Sequence, residues 1–493
     1  MQDAHDLAVI VAAHTPIILV ETHDEKTAMD LLRRVAREQG KTLFRWSVTD
    51  GLQTASFGLQ LAAPSQYAEA DAVLSHLKTH AEPGIYVFCD LHPWLVEQPR
   101  NVRLLKDIAL QNEHGPVTLV LISHALTAPP ELARYCVRFP LSLPSENEIM
   151  TLIKEEAKRW SAKHNGQRVR AGNGSLLQLA ANLKGLSHGE VRRLVRTAIY
   201  DDGAITETDI PAINQARFRL MDKEGVLSYA QESADMNSLG GMENLKQWLE
   251  LRRHAFLAEQ KPQDMPRGIL LLGVQGGGKS LAAKVVAGLW NLPMLRLDMG
   301  ALYNKYIGET ERNLRESLAL AEQMSPCVLW VDEIEKGIGA EGSDGGLSQR
   351  ILGAFLTWMQ ERKATVFLVA TANDISSLPP ELMRKGRFDE IFFVDLPDES
   401  TRQTIFAIHL RKRQLDPAEF DLKQLAVASE GFSGAEIEQA IVSGCYSATG
   451  GEGNLTMEHL LVELVNTAPL SLVMAEKLDG LRTWARDRNI RSV

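Results

Sequence analysis

The chain carries little that would mark it as secreted, zinc-dependent or membrane-spanning. Its 493 residues include four cysteines, Cys89, Cys136, Cys327 and Cys445, each alone among apolar neighbours. No C-x-x-C or H-E-x-x-H spacing occurs, which argues against a disulfide framework, a thiolate zinc site and a zinc protease. The lone thiols are expected to be buried, in a reducing compartment. No apolar run reaches the roughly 18 residues that a membrane span requires. The opening Met1-Gln-Asp-Ala-His-Asp6 is acidic, with no basic stretch ahead of an apolar core, so no signal peptide is read there. A cytoplasmic location is expected, or the plastid stroma for a plastid-encoded chain. Basic excess is missing as well: a formal net charge of −10 gives no overall footprint for nucleic acid or an anionic membrane. What remains, 45% hydrophobic and 24% charged residues, is the composition of a folded globular chain. Its length exceeds one core and calls for about two to four domains.

What the chain does carry is centred on Gly268-Ile-Leu-Leu-Leu-Gly-Val-Gln-Gly-Gly-Gly-Lys-Ser280. An apolar strand runs into a glycine-rich turn and then a helix, with Gly273, Gly278, Lys279 and Ser280 at the spacing of a Walker A phosphate loop. A triphosphate needs backbone N–H groups pointing inward, and glycines let the backbone approach it. The helix beginning near Lys279 adds unpaired N–H groups and the positive end of its dipole. Candidate nucleotide contacts are therefore Gly273, Val274, Gln275, Gly276, Gly277, Gly278, Lys279, Ser280 and Leu281. Lys279 would hold the β- and γ-phosphates of ATP, and Ser280 would offer its hydroxyl to Mg²⁺.

Cys327-Val-Leu-Trp-Val-Asp-Glu333 is an apolar strand ending in two acids. Consecutive strand residues point to opposite faces, so the two carboxylates can take different tasks. Asp332 is the candidate Mg²⁺ ligand, and Glu333 the group that orients or deprotonates an attacking water. The strand Val366-Phe-Leu-Val-Ala-Thr-Ala-Asn373 brings Asn373 to the same sheet edge, where open α/β sheets bind ligands.

The whole chain follows one order of elements twice. Short apolar strands (Ile17–Val20, Leu43–Ser47, Ile85–Cys89, Val117–Ile122) alternate with helices such as Lys26–Gln39, and a wholly helical stretch follows from Glu146 to about Leu220. The second round has strands at Ile269–Leu272, Met294–Leu297, Val328–Val331, Thr365–Ala370 and Ile391–Val394, then helices from Thr401 to Val465. The pattern predicts parallel α/β sheets. Leu176–Ala180 and Lys184–Val191 match Leu422–Ala426 and Glu430–Ile437 at one constant offset, and Pro129–Arg134 mirrors Pro379–Arg384. We read a tandem duplication. The expected domains are 1–145 and 146–220 (a degenerate α/β core and its helical lid), a linker 221–238, 239–398 and 399–465 (the second core and lid), and an amphipathic tail 466–493. The first copy has Val20-Glu-Thr-His-Asp-Glu-Lys-Thr27 where the second has glycines, so Glu21, Asp24 and Glu25 are expected to repel phosphate. Asp90 is aligned with Asp332, and Leu91 with Glu333.

With these residues assembled, 236–440 resembles the AAA family of ATPases. The likeness rests on Leu239-Gly-Gly241, both Walker motifs, Asn373 at sensor 1, Arg384-Lys-Gly-Arg-Phe-Asp389, Ile408-His409 and Gly431-Phe-Ser-Gly-Ala-Glu436. It implies tandem RecA-like modules, each a parallel sheet sandwich with a helical lid, the first degenerate. It also implies Gly240, His409, Gly434 and Ala435 around the nucleotide, and Arg384 and Arg387 as fingers reaching the γ-phosphate of a neighbouring copy. A homo-oligomeric ring, usually a hexamer, follows from such fingers. Lys305-Tyr-Ile-Gly-Glu309 resembles the first pore loop, with Tyr306 gripping a threaded polypeptide, and Gly337–Gly346 stands in the place of a second. Two departures are Val274-Gln275, where the family usually has two prolines, and Gln360-Glu361, where Asp-Gly is common. The full layout is similar to the hypothetical chloroplast reading frame forty-six group of AAA proteins. The implied function is an ATP-driven ring that remodels or threads an unidentified protein partner, with the first module as adaptor. The alternative is an ATP-dependent switch or assembly protein, regulatory or clamp-loader-like, that binds its partner without threading it.

Overall fold

The computed structural model describes residues 2–54, 67–113, 115–221, 226–230, 234–258, 265–303, 310–338, 345–384, 386–450 and 454–493. Its contacts divide into two units, Met1–Asp209 and Ile210–Val493.

In the first unit, β1 (Ile17–Glu21), β2 (Thr42–Ser47), β3 (Gly51–Thr54), β4 (Gly84–Cys89), β5 (Val117–Ser123) and β6 (Cys136–Arg138) form one sheet in the order β3-β2-β4-β5-β1-β6. Only the β2–β3 pair is antiparallel. β4 and β5 are apolar at nearly every position and buried throughout, as strands covered on both faces must be. One face packs Trp46, Phe88 and Leu119 against helices Ala70–His80 and Pro99–Gln111, and the other packs Val20 and Val120 against helix Glu25–Glu38. Helices Glu146–Lys163, Asn173–Asn182 and His188–Asp202 follow. The stretch expected to be wholly helical also holds two very short strands, β7 (Arg170–Ala171) and β8 (Ala204–Ile205), paired in parallel.

The second unit repeats the plan. Its sheet comprises β9 (Leu227–Ala230), β10 (Gly268–Gly273), β11 (Met294–Asp298), β12 (Cys327–Asp332), β13 (Val366–Ala372), β14 (Glu390–Val394) and β15 (Arg491–Ser492), in the order β15-β14-β10-β13-β12-β11-β9. β9 alone is antiparallel to its neighbour. Each strand expected from the sequence is present within two residues of its drawn ends, and the α/β class with parallel sheets holds in both units. Beneath the phosphate-loop helix Lys279–Trp290, the rings of Trp290, Phe256, Phe367 and Trp248 form one packed cluster. Four helices from Glu399 to Asn466 build a separate small core around Phe406, Leu425, Phe432 and Ile437.

Two further stretches differ from the sequence reading. Helix Ile210–Met221, drawn with the first helical block, groups with the second unit because its Phe218 enters that unit's core beside Leu227. The linker drawn over 221–238 contains β9, which pairs with β11. The amphipathic tail turns back on the sheet: helix Ala475–Asp487 packs Leu481 and Ala485 against Phe393, and β15 extends the sheet beyond β14.

Candidate nucleotide site

β10 lies between β13 and β14, and the loop 274–278 leaves its end at the sheet's carboxyl edge. Gly276 (φ +76) and Gly278 (φ +95) take left-handed conformations, so the turn needs glycine there. The helix starts at Lys279, whose side chain is buried and whose Nζ donates to the carbonyls of Gly273 (2.8 Å) and Val274 (2.6 Å). Burial pulls the Lys279 ammonium down to about 8, against the opposing pull of Glu335, Asp332 and Glu333. A desolvated cation whose hydrogen bonds, among the described residues, go to backbone carbonyls is suited to an anionic ligand.

The two acids that end β12 separate as the strand geometry requires. Asp332 Oδ1 accepts from Thr371 Oγ1 at 2.7 Å, and its Oδ2 pairs with Arg296 at 3.0 Å. Arg296 also lies over the Trp330 ring, 4.9 Å from its centroid. Glu333, at φ +49, turns the other way. Its Oε1 accepts from Asn373 Nδ2 at 2.9 Å, and its Oε2 pairs with Lys336 at 2.5 Å. Glu335 accepts from the Asn373 N–H at 2.9 Å, its other oxygen is buried with no partner, and burial raises its carboxyl. Thr371, Arg296, Lys336 and Glu335 were not singled out in the sequence. Only Glu335, two places beyond the acid pair, carried a usable signal.

Lys279, Asp332, Glu333, Thr371 and Asn373 face a cleft of about 550 Å³. Gln275 to Leu281, Asp332, Glu333 and Asn373 line one part of it, and Gly240, Met242, Ile405, His409, Gly434 and Ala435 another. A Cβ on Gly276 would come within 2.9 Å of Ser433 Oγ and 3.1 Å of Ala435 Cβ, so the loop and the lid approach closely there. Burial lowers the His409 pKa, while Glu438, 3.3 Å away, opposes the shift. Ser280 is exposed and lines the same cleft as Asp332. A hydroxyl and a carboxylate are hard oxygen donors, a set that fits Mg²⁺ when phosphate oxygens complete the shell. Arg384 and Arg387 do not line the cleft; Arg384 is exposed and Arg387 donates to the Glu381 carbonyl at 2.7 Å. Tyr306, with the rest of Lys305–Glu309, and most of the Gly337–Gly346 loop lie outside the described residues.

The corresponding place in the first unit is built differently. Thr22, His23 and Asp24 alone separate β1 from helix Glu25–Glu38, a shorter turn than 274–278. Asp24 is turned inward: it accepts from the Thr27 N–H (3.1 Å), the Thr27 hydroxyl (2.9 Å) and, across to the lid, the Gly189 N–H (2.8 Å). Glu21 and Glu25 pair with Arg138 and Arg45. The sequence alignment of Asp90 with Asp332 is corrected by one residue. β4 ends at Cys89 as β12 ends at Asp332, and Asp90 (φ +55) follows as Glu333 (φ +49) does, each before a buried residue, Leu91 or Ile334. Cys89 thus stands at the strand-end position that Asp332 holds in the second unit. The lid turns, by contrast, are kept alike: Ser187 and Glu190 cap each other reciprocally, as Ser433 and Glu436 do.

A parallel sheet with a phosphate loop on an inner strand and split acids on the next but one defines a P-loop nucleotide-binding protein. The model of the ATPase family associated with various cellular activities matches residues 269–396, and SpoVK-like AAA ATPase models match 3–141 (N-terminal domain) and 147–224 (second domain). The AAA domain-containing protein ycf46 of Pyropia yezoensis is 32% identical over 100% of this chain and 99% of its own. The protein of the same name from Trieres chinensis is 33% identical over 99% and 97%. A proteasome-activating nucleotidase of Saccharolobus islandicus is 35% identical over 46% of this chain and 60% of its own. The chain belongs to the AAA ATPase family, and the ycf46 proteins are among the relatives that match it over nearly its full length.

Proposed function

We propose that the chain hydrolyses ATP with Mg²⁺ and works as a ring of identical copies, a hexamer, that remodels or threads a protein partner. The observation that carries hydrolysis is the 2.9 Å contact between Asn373 Nδ2 and Glu333 Oε1, beside the buried Lys279. In this reading Lys279 and the N–H groups of Gly276, Gly277 and Gly278 hold the phosphates, and Gly273 lets the loop leave the strand. Asn373 positions the lytic water, and Glu333 accepts its proton. Ser280 and Asp332 would hold Mg²⁺, which supplies charge neutralisation on the transferred phosphoryl group. Gly240, His409, Gly434 and Ala435 would enclose adenosine. Arg384 and Arg387, standing away from their own cleft, would serve the neighbouring copy's site. The first unit, with Cys89 in place of Asp332 and Asp24 turned into its own loop, would act as an adaptor without hydrolysis. A cytoplasmic or stromal location suits a chain in which no described helix is long and apolar enough to cross a membrane.

Lys279→Ala should abolish binding of labelled ATP, whereas Glu333→Gln should bind it and turn over at least about 10²-fold more slowly. Normal turnover in Glu333→Gln would remove that residue from its role. Tyr306→Ala separates threading from a switch: partner-stimulated turnover that survives the change favours the switch.

A further inference from the structure

Ser492 and Val493, far from any nucleotide motif in sequence, line the same cleft as Lys279, Asn373 and His409. We infer that the segment from Leu470 to Val493 is a structural wall of the adenine-nucleotide site, and that its seating and nucleotide binding stabilise each other. The proposal rests on the reading of this cleft as the ATP site.

Five attachments around the cleft support it. The strand β15 adds to the sheet with Phe392 opposite Arg491 and Phe393 opposite Ser492, and the Val493 N–H donates to the Phe393 carbonyl at 3.1 Å. The Ser492 carbonyl accepts from Asn244 Nδ2 at 3.1 Å, in the first turn after Gly240–Met242. Helix Ala475–Asp487 lies over the phosphate loop, where Leu478, Leu481 and Lys477 share a small cavity with Val274, Gln275 and Asn373. The same helix grips Asp395, a residue of the cleft wall, through a two-pronged Arg482 contact at 2.9 and 3.0 Å. Finally, the Leu470 N–H donates to Glu436 Oε1 at 2.9 Å, in the lid turn that carries Gly434 and Ala435.

One segment therefore touches the loop, Asn373 at the end of β13, the strand β14 and the lid. A ligand that orders any of these against the others favours the seated segment, and by thermodynamic reciprocity the seated segment favours the ligand by the same factor. The geometry requires no contact between Ser492 and the reacting atoms; Ser492 and Val493 position the wall.

The test uses the full chain and a fluorescent ADP analogue. Leu481→Asp introduces a charge where Leu481 meets Phe393, and should weaken the analogue by about ten-fold, within the usual range of coupling between sites. In the unaltered protein, ADP should slow amide exchange over 475–493, including the Val493 N–H, and should fail to do so in Lys279→Ala. Wild-type affinity in Leu481→Asp protein whose helix exchanges freely would overturn the proposal. So would exchange over 475–493 that ADP leaves unchanged, a result that needs no variant. Undiminished binding by Lys279→Ala would instead overturn the reading of the cleft itself.

Discussion

Replacing Asp24 by alanine removes, in one step, the cap of helix Glu25–Glu38 and its tie to the lid at Gly189. The capping bond to the Thr27 N–H accounts for about 1 kcal/mol. The 2.8 Å bond from the Gly189 N–H goes to a charged acceptor, and leaving that donor without its partner costs about 1–3 kcal/mol. Asp24 is 9% exposed, so little of this is screened or replaced by water. The total, about 2–4 kcal/mol, corresponds to a loss of roughly 4–16 °C in Tm for a unit of this size. Asp24→Asn keeps an acceptor without the charge and should lose about half as much. Glu25→Gln, which touches the half-exposed Arg45 and keeps an acceptor for the Cys89 thiol, should change stability by less than about 1 kcal/mol. Calorimetry of the full chain is the assay, reading the transition that Mg-ATP does not shift, with amide exchange at Gly189 as a local probe. An Asp24→Ala protein that melts within about 1 °C of the original, its Gly189 amide still protected, would refute the idea that an internal carboxylate holds this core and lid together.

Mixing Arg387→Ala with Lys279→Ala copies should restore part of the turnover that each lacks, because a finger acting in trans is worth about 10³-fold or more; full turnover by protein that stays monomeric in ultracentrifugation with ATP would contradict the ring. Arg296→Ala frees the Asp332 carboxylate from its 3.0 Å ion pair, so nucleotide binding should reach half-saturation at several-fold lower Mg²⁺; an unchanged Mg²⁺ titration would show that the pair does not compete. His409 has a folded pKa below its ordinary value because of burial, so the unfolded chain binds the proton more readily. Stability should therefore fall as pH drops through about 6.5, and His409→Gln protein should lose less over that window; parallel melting curves for the two would refute the assignment.

Much of the fold and of the cleft was readable because it depends on local pattern. Apolar runs such as Ile269–Leu272 mark strands buried on both faces, and the glycines before Lys279 mark a turn that needs left-handed backbone. What was not readable depends on pairing with remote chain. β15 is two residues long and gains its identity only from Phe392 and Phe393, and β9 reads as linker until β11 lies beside it. Arg296 and Thr371 are ordinary strand residues until folding sets both against Asp332. The one-residue error at Asp90 has a similar origin: an acid at a strand end looks alike in either register, and only the positive φ shared with Glu333 tells them apart.

The two outermost strands of the second sheet come from nearly opposite ends of that unit, Leu227–Ala230 and Arg491–Ser492. During synthesis this imposes a schedule. At about 5–20 residues per second, the ribosome needs roughly 13–52 s to make the chain between them. For roughly the last 5–19 s of that time, once β14 is made and before β15 follows, the β14 edge has no neighbour on its open side, which is the condition that invites pairing with another nascent chain. The first unit, whose six-stranded sheet draws on residues no later than Arg138, has long since had its strands available. Crowding of polysomes, chaperone access and the pace of translation over the stretch from β14 to β15 thus bear on this protein's yield far more than the two-residue length of β15 would suggest.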